Sequence, residues 1–378
     1  MRVAFYAPMK SPAHAVPSGD RRVARLLMRA LRHGGHEVAV ASHLRAWNGD
    51  GDAAAQERMM RRGQLLARRY VERHRRSPPD LWFTYHLYHK APDWIGPAVC
   101  RSLAVPYVAA EASFAPKQEN GPWALGHAAV RAALGQLDGI VHLNPVDEDC
   151  VRPHLRSGCV SGHLPPFLDL AEADRAHTAR AEQRADLGQR LGLDADRVWL
   201  VATGMMRSGD KLRSYRALGS ALDRIQDRSW ELLVIGDGPA RSEVEAAVGF
   251  AGRTRFLGQL DAAEVMAVQA ACDLFVWPAV NEAYGLALLE AQAVGLAAVA
   301  GDSPGVAAIV RNGATGLLVG AADADAFAGA VAGLLSDPAR RIAMGNAARQ
   351  TVAAEHGLSQ AAALVGDVVE AAAARSRR

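Results

Sequence analysis

The sequence is poor in cysteine, with Cys 4 in 378 residues, and none lies in a C-x-x-C pair or a His-flanked cluster. That pattern argues against a disulfide framework or a zinc site and fits a reducing compartment. No uncharged apolar run reaches the roughly 18 residues that a membrane-spanning helix needs. Met1 leads straight into a strand-like segment, which leaves no room for a signal peptide. We therefore expect a cytoplasmic protein.

An excess of one charge is also lacking, because the formal net charge is only +3 at pH 7. Basic residues nevertheless outnumber acidic ones over 1–190, and the reverse holds for the remainder. This asymmetry favours an anionic partner for the front half, such as a lipid surface or a phosphorylated acceptor, or else reflects arginines on a solvated surface. Hydrophobic residues make up 50% and charged ones 22%, as in ordinary globular proteins. At roughly 150 residues per domain, the length predicts two domains.

Short apolar runs alternate with helical patterns along most of the chain. They are mostly free of charge, like strands that are buried on both faces, and the helices between them predict parallel sheets built from βα units. The candidate strands are 3–6, 38–41, 81–85, 107–110, 139–143, 199–202, 232–235, 255–257, 274–277, 297–300 and 316–319. We predict two doubly wound α/β domains.

A stretch without a strand pattern separates the two series of strands. Residues 171–196 are charged and alanine-rich, and they follow a proline pair that breaks regular structure. We therefore predict a first domain at 1–170, a linker at 171–196 and a second domain at 197–355. A C-terminal helix at 356–378 would cap the second domain or cross back to the first.

One loop and helix start hold the leading candidate site. A strand ends at Trp277, a loop carries Glu282, and a helix begins near Gly285. Ligands of open α/β sheets bind beyond the carboxyl ends of the strands. The free N–H groups of the first helical turn, around Leu286 and Ala287, suit a phosphate or sugar oxygen, and the glycine lets the backbone approach it.

A second glutamate, Glu290, follows Glu282 in an E-x7-E spacing, about 12 Å further on if the segment is all helical. Its neighbours are apolar, so a carboxylate there needs hydrogen-bond donors, and a ribose diol would supply two. The alternative is a Glu290 that faces solvent on an amphipathic helix. The bare spacing favours that alternative.

In its context, this spacing resembles the E-x7-E motif of retaining GT-B glycosyltransferases, glycosyltransferase family 4 (group 1). Other segments are similar to landmarks of that family: a strand-end turn at 234–239, a base-contacting strand and loop ending at Gly258, and a hairpin-like segment at 312–319. The likeness is strong over 197–350. It implies the GT-B fold, in which a Rossmann-like acceptor domain and a nucleotide-sugar-binding domain face each other across a cleft, with C-terminal helices that can cross back.

The resemblance also implies roles for four residues. Glu282 would contact hydroxyls of the transferred sugar, and Glu290 would bind the nucleotide ribose. Arg207 and Lys211 would grip the donor diphosphate, although two methionines separate the arginine from the glycine that usually precedes it. Cations there stabilise the charge that develops on the departing nucleoside diphosphate. Outside the family context they would be two solvated cations on a loop.

Signals for a metal or a bound cofactor are weak. The strings Asp147-Glu148-Asp149 and Asp323-Ala324-Asp325 lie in helical context and are interpreted as capping or solvated residues. The G-x-G at 236–238 continues into arginine where a dinucleotide fingerprint needs glycine, which makes a nicotinamide dehydrogenase a poor interpretation. We expect no metal and no cofactor, with the nucleotide-sugar as co-substrate.

The first domain offers candidates for the acceptor side. Gly19 stands where the family has a Gly-Gly turn that opens a helix toward donor phosphate and acceptor. Glu111 occupies roughly the position of the family's histidine after the fourth strand, and His86 follows the third strand. Either could orient or deprotonate the acceptor hydroxyl, and Lys117 could pair with Glu111. For His86 the alternative is a structural, hydrogen-bonded histidine.

The segment 58–76 is dense in arginine with apolar residues interspersed. It predicts a basic amphipathic helix that lies on an anionic membrane, at the inner face, or an ordinary surface helix packed on the sheet.

Together these features predict a metal-independent, retaining glycosyltransferase that uses a nucleotide-sugar and an unidentified acceptor, for which a lipid-linked molecule is one candidate, with no nucleic acid as a partner. The family's commonest donors are UDP-sugars. Two alternatives stay open, a nucleotide-sugar epimerase of similar fold and a non-catalytic nucleotide-sugar-binding protein.

Overall fold

The computed structural model describes residues 1–16, 18–282, 284–320 and 323–376. The chain forms two compact units, one of Met1–Pro165 with Leu358–Arg378 and the other of Pro166–Gly357. Each unit holds one six-stranded sheet, and all the strand pairs within each sheet are parallel. The two predicted Rossmann-like sheets are therefore confirmed.

The sheet of the first unit has the strand order β2-β1-β3-β4-β5-β6. Its strands are β1 (Arg2–Tyr6), β2 (Glu37–Ser42), β3 (Leu81–Leu87), β4 (Tyr107–Ala112), β5 (Gly139–His142) and β6 (Val160–His163). The helices between them are α1 (Gly19–His33), α2 (Ala53–His74), α3 (Gly96–Leu103), α4 (Ala124–Leu134) and α5 (Pro145–Val151). Because β2 and β3 lie on opposite sides of β1, the winding direction reverses between β1 and β3.

The second unit begins with α6 (Leu170–Thr178) and α7 (Arg180–Leu191), which occupy most of the predicted linker and pack on α10. Its sheet has the order β12-β11-β10-β7-β8-β9. The strands are β7 (Val198–Thr203), β8 (Trp230–Ile235), β9 (Thr254–Gly258), β10 (Leu274–Trp277), β11 (Ala297–Gly301) and β12 (Gly316–Val319). The helices are α8 (Asp210–Asp223), α9 (Arg241–Val248), α10 (Ala262–Ala271), α11 (Leu286–Ala293), α12 (Pro304–Ala307), α13 (Ala324–Ser336) and α14 (Pro338–Glu355).

The last helix, α15 (Leu358–Ser376), returns to the first unit and packs on α1, β5 and β6. Two glycines make room for it. A Cβ at Gly162 would lie 2.6 Å from Cγ2 of Val368, and one at Gly139 would lie 3.0 Å from Cγ1 of the same side chain. The return of the C-terminal helix, one of the two predicted outcomes, is confirmed.

Every strand predicted from the sequence is present, and one further strand, β6, was not predicted. Its sequence, Val-Ser-Gly-His, alternates between half-buried and exposed residues at the edge of the sheet. It therefore lacks the continuous apolar run that marks the central strands.

Candidate functional site

The candidate site of the second unit lies where β7 and β10 end side by side. These strands are neighbours in the sheet, and the winding direction reverses between them. Such a reversal opens a crevice beyond the carboxyl ends of the strands, where open α/β sheets bind ligands. The loop after β7 carries Arg207 and leads to Lys211 in α8, and the loop after β10 carries Glu282.

Lys211 and Glu282 meet directly at this edge. Nζ of Lys211 lies 2.5 Å from Oε2 of Glu282, and their side chains are only 20% and 19% exposed. Nε1 of Trp277 donates to the same carboxylate oxygen at 3.3 Å. The ammonium also lies 5.3 Å from the centre of the Trp277 ring, a cation–π distance. The carboxylate is thus held by two donors, and the structure brings these two predicted residues together.

The loop after β10 is held in an unusual backbone conformation. Ala279 and Asn281 have φ values of 50° and 51°, in the left-handed region that costs energy for residues other than glycine. The hydroxyl of Ser214 in α8 accepts a hydrogen bond from the backbone N–H of Val280 at 3.0 Å, and Ser303 donates to the carbonyl of Glu282 at 3.2 Å. These bonds fix the glutamate between two helices.

Gly285 begins α11 in the left-handed conformation, with φ 66°. A Cβ there would lie 3.0 Å from Cδ1 of Ile309, so glycine suits this position both by φ and by space. Leu286 and Ala287 follow in the first helical turn, as predicted from the sequence. Nε2 of Gln269 donates to the carbonyl of Ala287 at 3.1 Å and to Oγ1 of Thr203 at 3.3 Å. That side chain ties the start of α11 to the end of β7.

Glu290 is only 3% exposed in α11, with Leu289 and Ala291 buried on either side. The alternative of a glutamate that faces solvent is therefore wrong. The buried position agrees with a carboxylate held inside the unit.

The predicted strand-end turn at 234–239 supports the loop after β7. A Cβ at Gly236 would lie 1.9 Å from the carbonyl oxygen of Gly204, and one at Gly238 would lie 2.3 Å from that of Met206. The backbone N–H of Met206 donates to the carbonyl of Asp237 at 3.0 Å. The G-x-G sequence thus lets two loops pack backbone to backbone, which explains it without a dinucleotide.

Arg207 sits exposed on this supported loop. In the described part of the chain its guanidinium has no ion pair within 4 Å, whereas Lys211 is paired with Glu282. Gly258 ends the neighbouring β9 with φ 70°, and its carbonyl accepts from the N–H of Gly236 at 2.8 Å.

A second cluster lies at the carboxyl edge of the first unit, again beside the point where the winding reverses. Nδ1 of His86, near the end of β3, lies 3.0 Å from Oδ1 of Asp20 in the first turn of α1. The same nitrogen lies 3.9 Å from Oε2 of Glu111 on β4. His86 and Glu111 have φ values of 67° and 56°, in the left-handed region that few residues other than glycine occupy.

The charges of this cluster reinforce one another. Burial alone would lower the pKa of His86, but Glu111 and Asp20 outweigh it and raise the pKa above its usual value. Burial would raise the pKa of Asp20, yet the hydrogen bond and charge of His86 hold it below the usual range. Burial, together with the charge of Glu111, raises the pKa of Asp147.

Two sequence-based expectations for the first unit can be compared with the structure. Asp147, interpreted as a capping or solvated residue, lies in the first turn of α5 and is half-buried beside this cluster, whereas Asp149 is exposed. Lys117 forms no ion pair with Glu111 within the described residues. It lies near His89, where burial first, and then neighbouring cations that include Lys117, lower the pKa of the imidazole.

Gly19 opens α1 as predicted, but a Cβ there would meet nothing within 4 Å, so space does not require glycine. Asp20 and Trp277 were not predicted as site residues. Asp20 lies in the first turn of α1 and Trp277 ends β10, each at a reversal point, and that position is the signal that could have found them.

Neither a metal site nor a membrane span emerges from the described residues. They contain no group of three or more His, Cys, Asp or Glu suited to holding a metal ion. Asp323 caps α13 by accepting from the N–H of Ala326 at 2.8 Å, as the capping interpretation predicted. No helix in the described ranges is both long enough and apolar enough to cross a membrane.

Comparison with known proteins gives consistent results. Residues 197–337 match the family described as "Glycosyl transferases group 1". The chain is 30% identical over 309 residues to a 2-deoxystreptamine glucosyltransferase of Streptomyces kanamyceticus, covering 78% of each chain. It is 34% identical over 199 residues to a GDP-mannose-dependent alpha-(1-6)-phosphatidylinositol monomannoside mannosyltransferase of Mycolicibacterium smegmatis, covering 50% of each. For several curated relatives, the match spans about half of their length.

The solved structure of Anabaena Alr3699/HepE in complex with UDP-glucose matches 98% of this chain and 99% of its own, with a TM-score of 0.72 and 15% identity. A likeness at that level of identity concerns the fold. The predicted GT-B class is thereby confirmed.

Proposed function

Because the chain belongs to the group 1 glycosyltransferases, we propose that it transfers a sugar from a nucleotide-sugar to an acceptor hydroxyl, with retention of anomeric configuration. The observation that carries the proposal is the contact of Lys211 with Glu282 at the reversal point of the second sheet. At this point a cation that suits the diphosphate lies in contact with a carboxylate that suits the sugar hydroxyls. The sugar would bind Glu282 through its hydroxyls.

The phosphates are the part of the donor that changes charge most during transfer. When the sugar–phosphate bond breaks, negative charge develops on the departing nucleoside diphosphate. Lys211 and the exposed Arg207 would stabilise it, and the first-turn N–H groups of α11 would add their partial positive charge. Loss of one such donor typically lowers kcat by about 10²–10³.

The buried Glu290 supports a ribose contact. It lies in α11, the helix that directly follows the loop of Glu282, and a carboxylate accepts hydrogen bonds from hydroxyls such as those of a ribose. In isothermal titration calorimetry with UDP, GDP and ADP, we expect one nucleotide to bind and Glu290→Gln to weaken that binding. Glu243→Gln, which removes an exposed carboxylate of the same unit, serves as the control. Equal affinity in the two variants would contradict the ribose role.

The nucleoside of the donor is proposed to be uridine. The matched Anabaena structure contains UDP-glucose, while the Mycolicibacterium relative is named as GDP-mannose-dependent. The calorimetric series decides between them.

Transfer is proposed to need no divalent metal, because Lys211 and Arg207 would neutralise the diphosphate. Turnover should therefore persist in EDTA. Incubating the nucleotide-sugar without an acceptor separates transfer from epimerisation, since an epimerase would convert the donor alone. The anomeric coupling constant of the product, measured by NMR, reports retention.

The arginines of α2 support an anionic surface as the second partner. All of them are exposed: Arg58, Arg61, Arg62, Arg68, Arg69 and Arg73. Leu65, among them, is 48% exposed. We expect co-sedimentation with phosphatidylglycerol vesicles at low salt, with release at high salt. Absence of binding at low salt would leave α2 as an ordinary surface helix and favour a water-soluble acceptor.

A further inference from the structure

Gln269 is a buried residue of α10 that bridges two elements of the candidate site in the second unit. Its side chain is 0% exposed. Nε2 donates to Oγ1 of Thr203, the last residue of β7, at 3.3 Å, and to the carbonyl of Ala287 in the first turn of α11 at 3.1 Å. The loop after β7 leads to Arg207. One side chain therefore joins the beginning of the cationic loop to the beginning of α11.

Glutamine is an exception among the buried residues of α10. The others are all apolar: Val265, Met266, Val268, Ala270 and Ala271. The carbonyl of Ala287 only accepts hydrogen bonds, so Nε2 of Gln269 faces it and Oε1 faces away. That oxygen is buried and has no hydrogen-bond partner within the described residues. Because an unpaired buried acceptor lowers stability, an apolar side chain of the same size would suit the fold at least as well. The glutamine is thus explained by the bridge it makes.

The start of α11 has two N–H groups that no helical hydrogen bond uses. The N–H groups of the third and fourth helical residues both donate to the carbonyl of Gly285 at 3.0 Å. Those of Leu286 and Ala287 have no partner inside the helix, and the N-cap, Gly285, has no side chain that could bond them. Ala287 therefore carries one of the two free N–H groups as well as the carbonyl that Gln269 holds.

We infer that Gln269 is a positioning residue for the diphosphate of the donor. By holding Ala287 at a fixed distance from Thr203, it orients the free N–H groups of α11 toward the phosphates that Arg207 binds. The inference rests on the proposed function. Donors that are oriented in advance stabilise the developing charge without reorganising during the reaction. Gln269 is itself fully buried, so it acts through α11.

The same unit contains a matched comparison, Gln292, near the end of α11. It is also 0% exposed, and its Nε2 donates to the carbonyl and to Oγ1 of Thr315 at 3.1 and 3.2 Å. Its Oε1 is likewise buried without a partner among the described residues. The two glutamines share burial and the kinds of acceptor, but Gln292 holds the end of α11 and not its start. A merely structural role would make the two substitutions equivalent.

The test compares Gln269→Met with Gln292→Met, because methionine keeps the unbranched shape of glutamine and donates no hydrogen bond. The probes are the nucleoside diphosphate selected by calorimetry and its nucleoside, which are UDP and uridine for a uridine donor. We expect Gln269→Met to weaken UDP binding about tenfold by calorimetry, the equivalent of a partly lost hydrogen bond to a charged group. Uridine, which has no phosphates, should bind as it does to the wild type in an NMR titration. Gln292→Met should lower Tm by a similar amount and leave both affinities unchanged.

A second variant keeps the result decisive if Gln269→Met does not fold. Thr203→Val removes one of the two hydrogen bonds and should weaken UDP binding less, again without an effect on uridine. An unchanged ratio of UDP to uridine affinity in the variants that fold would overturn the inference, and so would an equal loss of UDP affinity in Gln269→Met and Gln292→Met. In each case the wild type still binds UDP, so the proposed function stands. A wild type that binds no nucleoside diphosphate would overturn the proposed function, and this inference with it.

Discussion

Neutralising Glu282 should tighten the binding of a nucleoside diphosphate while it abolishes most of the transfer. The carboxylate of Glu282 holds Nζ of Lys211 at 2.5 Å. At an effective dielectric constant near 20, two charges at that separation attract each other by about 7 kcal/mol, most of which desolvation offsets. Exposed pairs contribute about 0–1 kcal/mol, removing one partner of a fully buried pair costs about 3–5 kcal/mol, and this pair is about one-fifth exposed. A net contribution of about 1–2 kcal/mol follows.

In Glu282→Gln, the side chain no longer competes with the phosphates for the ammonium of Lys211. The substitution also removes a negative charge near the phosphates. We therefore expect the nucleoside diphosphate, which lacks the sugar, to bind about 5- to 30-fold more tightly by calorimetry. Lys211→Met should weaken binding, and the double variant should behave like Lys211→Met, because the carboxylate acts through the lysine. Glu243→Gln controls for the change in net charge. Weaker binding of the diphosphate by Glu282→Gln would refute this reasoning.

Two further predictions follow from backbone contacts and titration. Gly236→Ala should lower stability and nucleotide affinity together, because its Cβ would lie 1.9 Å from the carbonyl oxygen of Gly204. The control is Gly252→Ala, whose Cβ would meet no atom within 4 Å. With φ 71° at that position, it should cost only about 1 kcal/mol of backbone strain. The pKa of Asp20 is lowered and that of His86 raised, so their pair stabilises the fold between the usual pKa values of the two groups and loses strength as pH rises through the folded value of His86. Asp20→Asn should therefore destabilise the protein more at about pH 5.5 than at about pH 9, as measured by urea unfolding.

The central strands could be predicted from the sequence because both faces of each are buried. Runs such as those of β8 and β10 contain almost only apolar residues, and burial on two sides requires that composition. The edge strand β6 could not be predicted in this way. It packs on α15, and its residues alternate between half-buried and exposed instead of forming an apolar run. The destination of α15 depends on long-range packing against Gly162 and Gly139, which no local pattern records.

The two candidate clusters also differ in whether a local sequence pattern or long-range packing brings their residues together. Glu282, Gly285 and Glu290 share one short segment, so their spacing carries information. Asp20 and His86 lie far apart in the chain and meet only because α1 starts beside the end of β3. The sequence could bring them together only through the strand order, which places β1 next to β3.

Backbone strain is concentrated at the two clusters. The residues other than glycine with positive φ, among those that the structure describes, are His86, Ala104, Glu111, Ala279 and Asn281. Ala104 ends α3 as a left-handed cap, a common conformation at a helix terminus. The other four lie beside the Asp20–His86 pair or in the loop that carries Glu282. Each such position costs about 1–3 kcal/mol, and strained positions of this kind cluster at functional sites. The strain at these two edges therefore agrees with the placement of a candidate site at each reversal point.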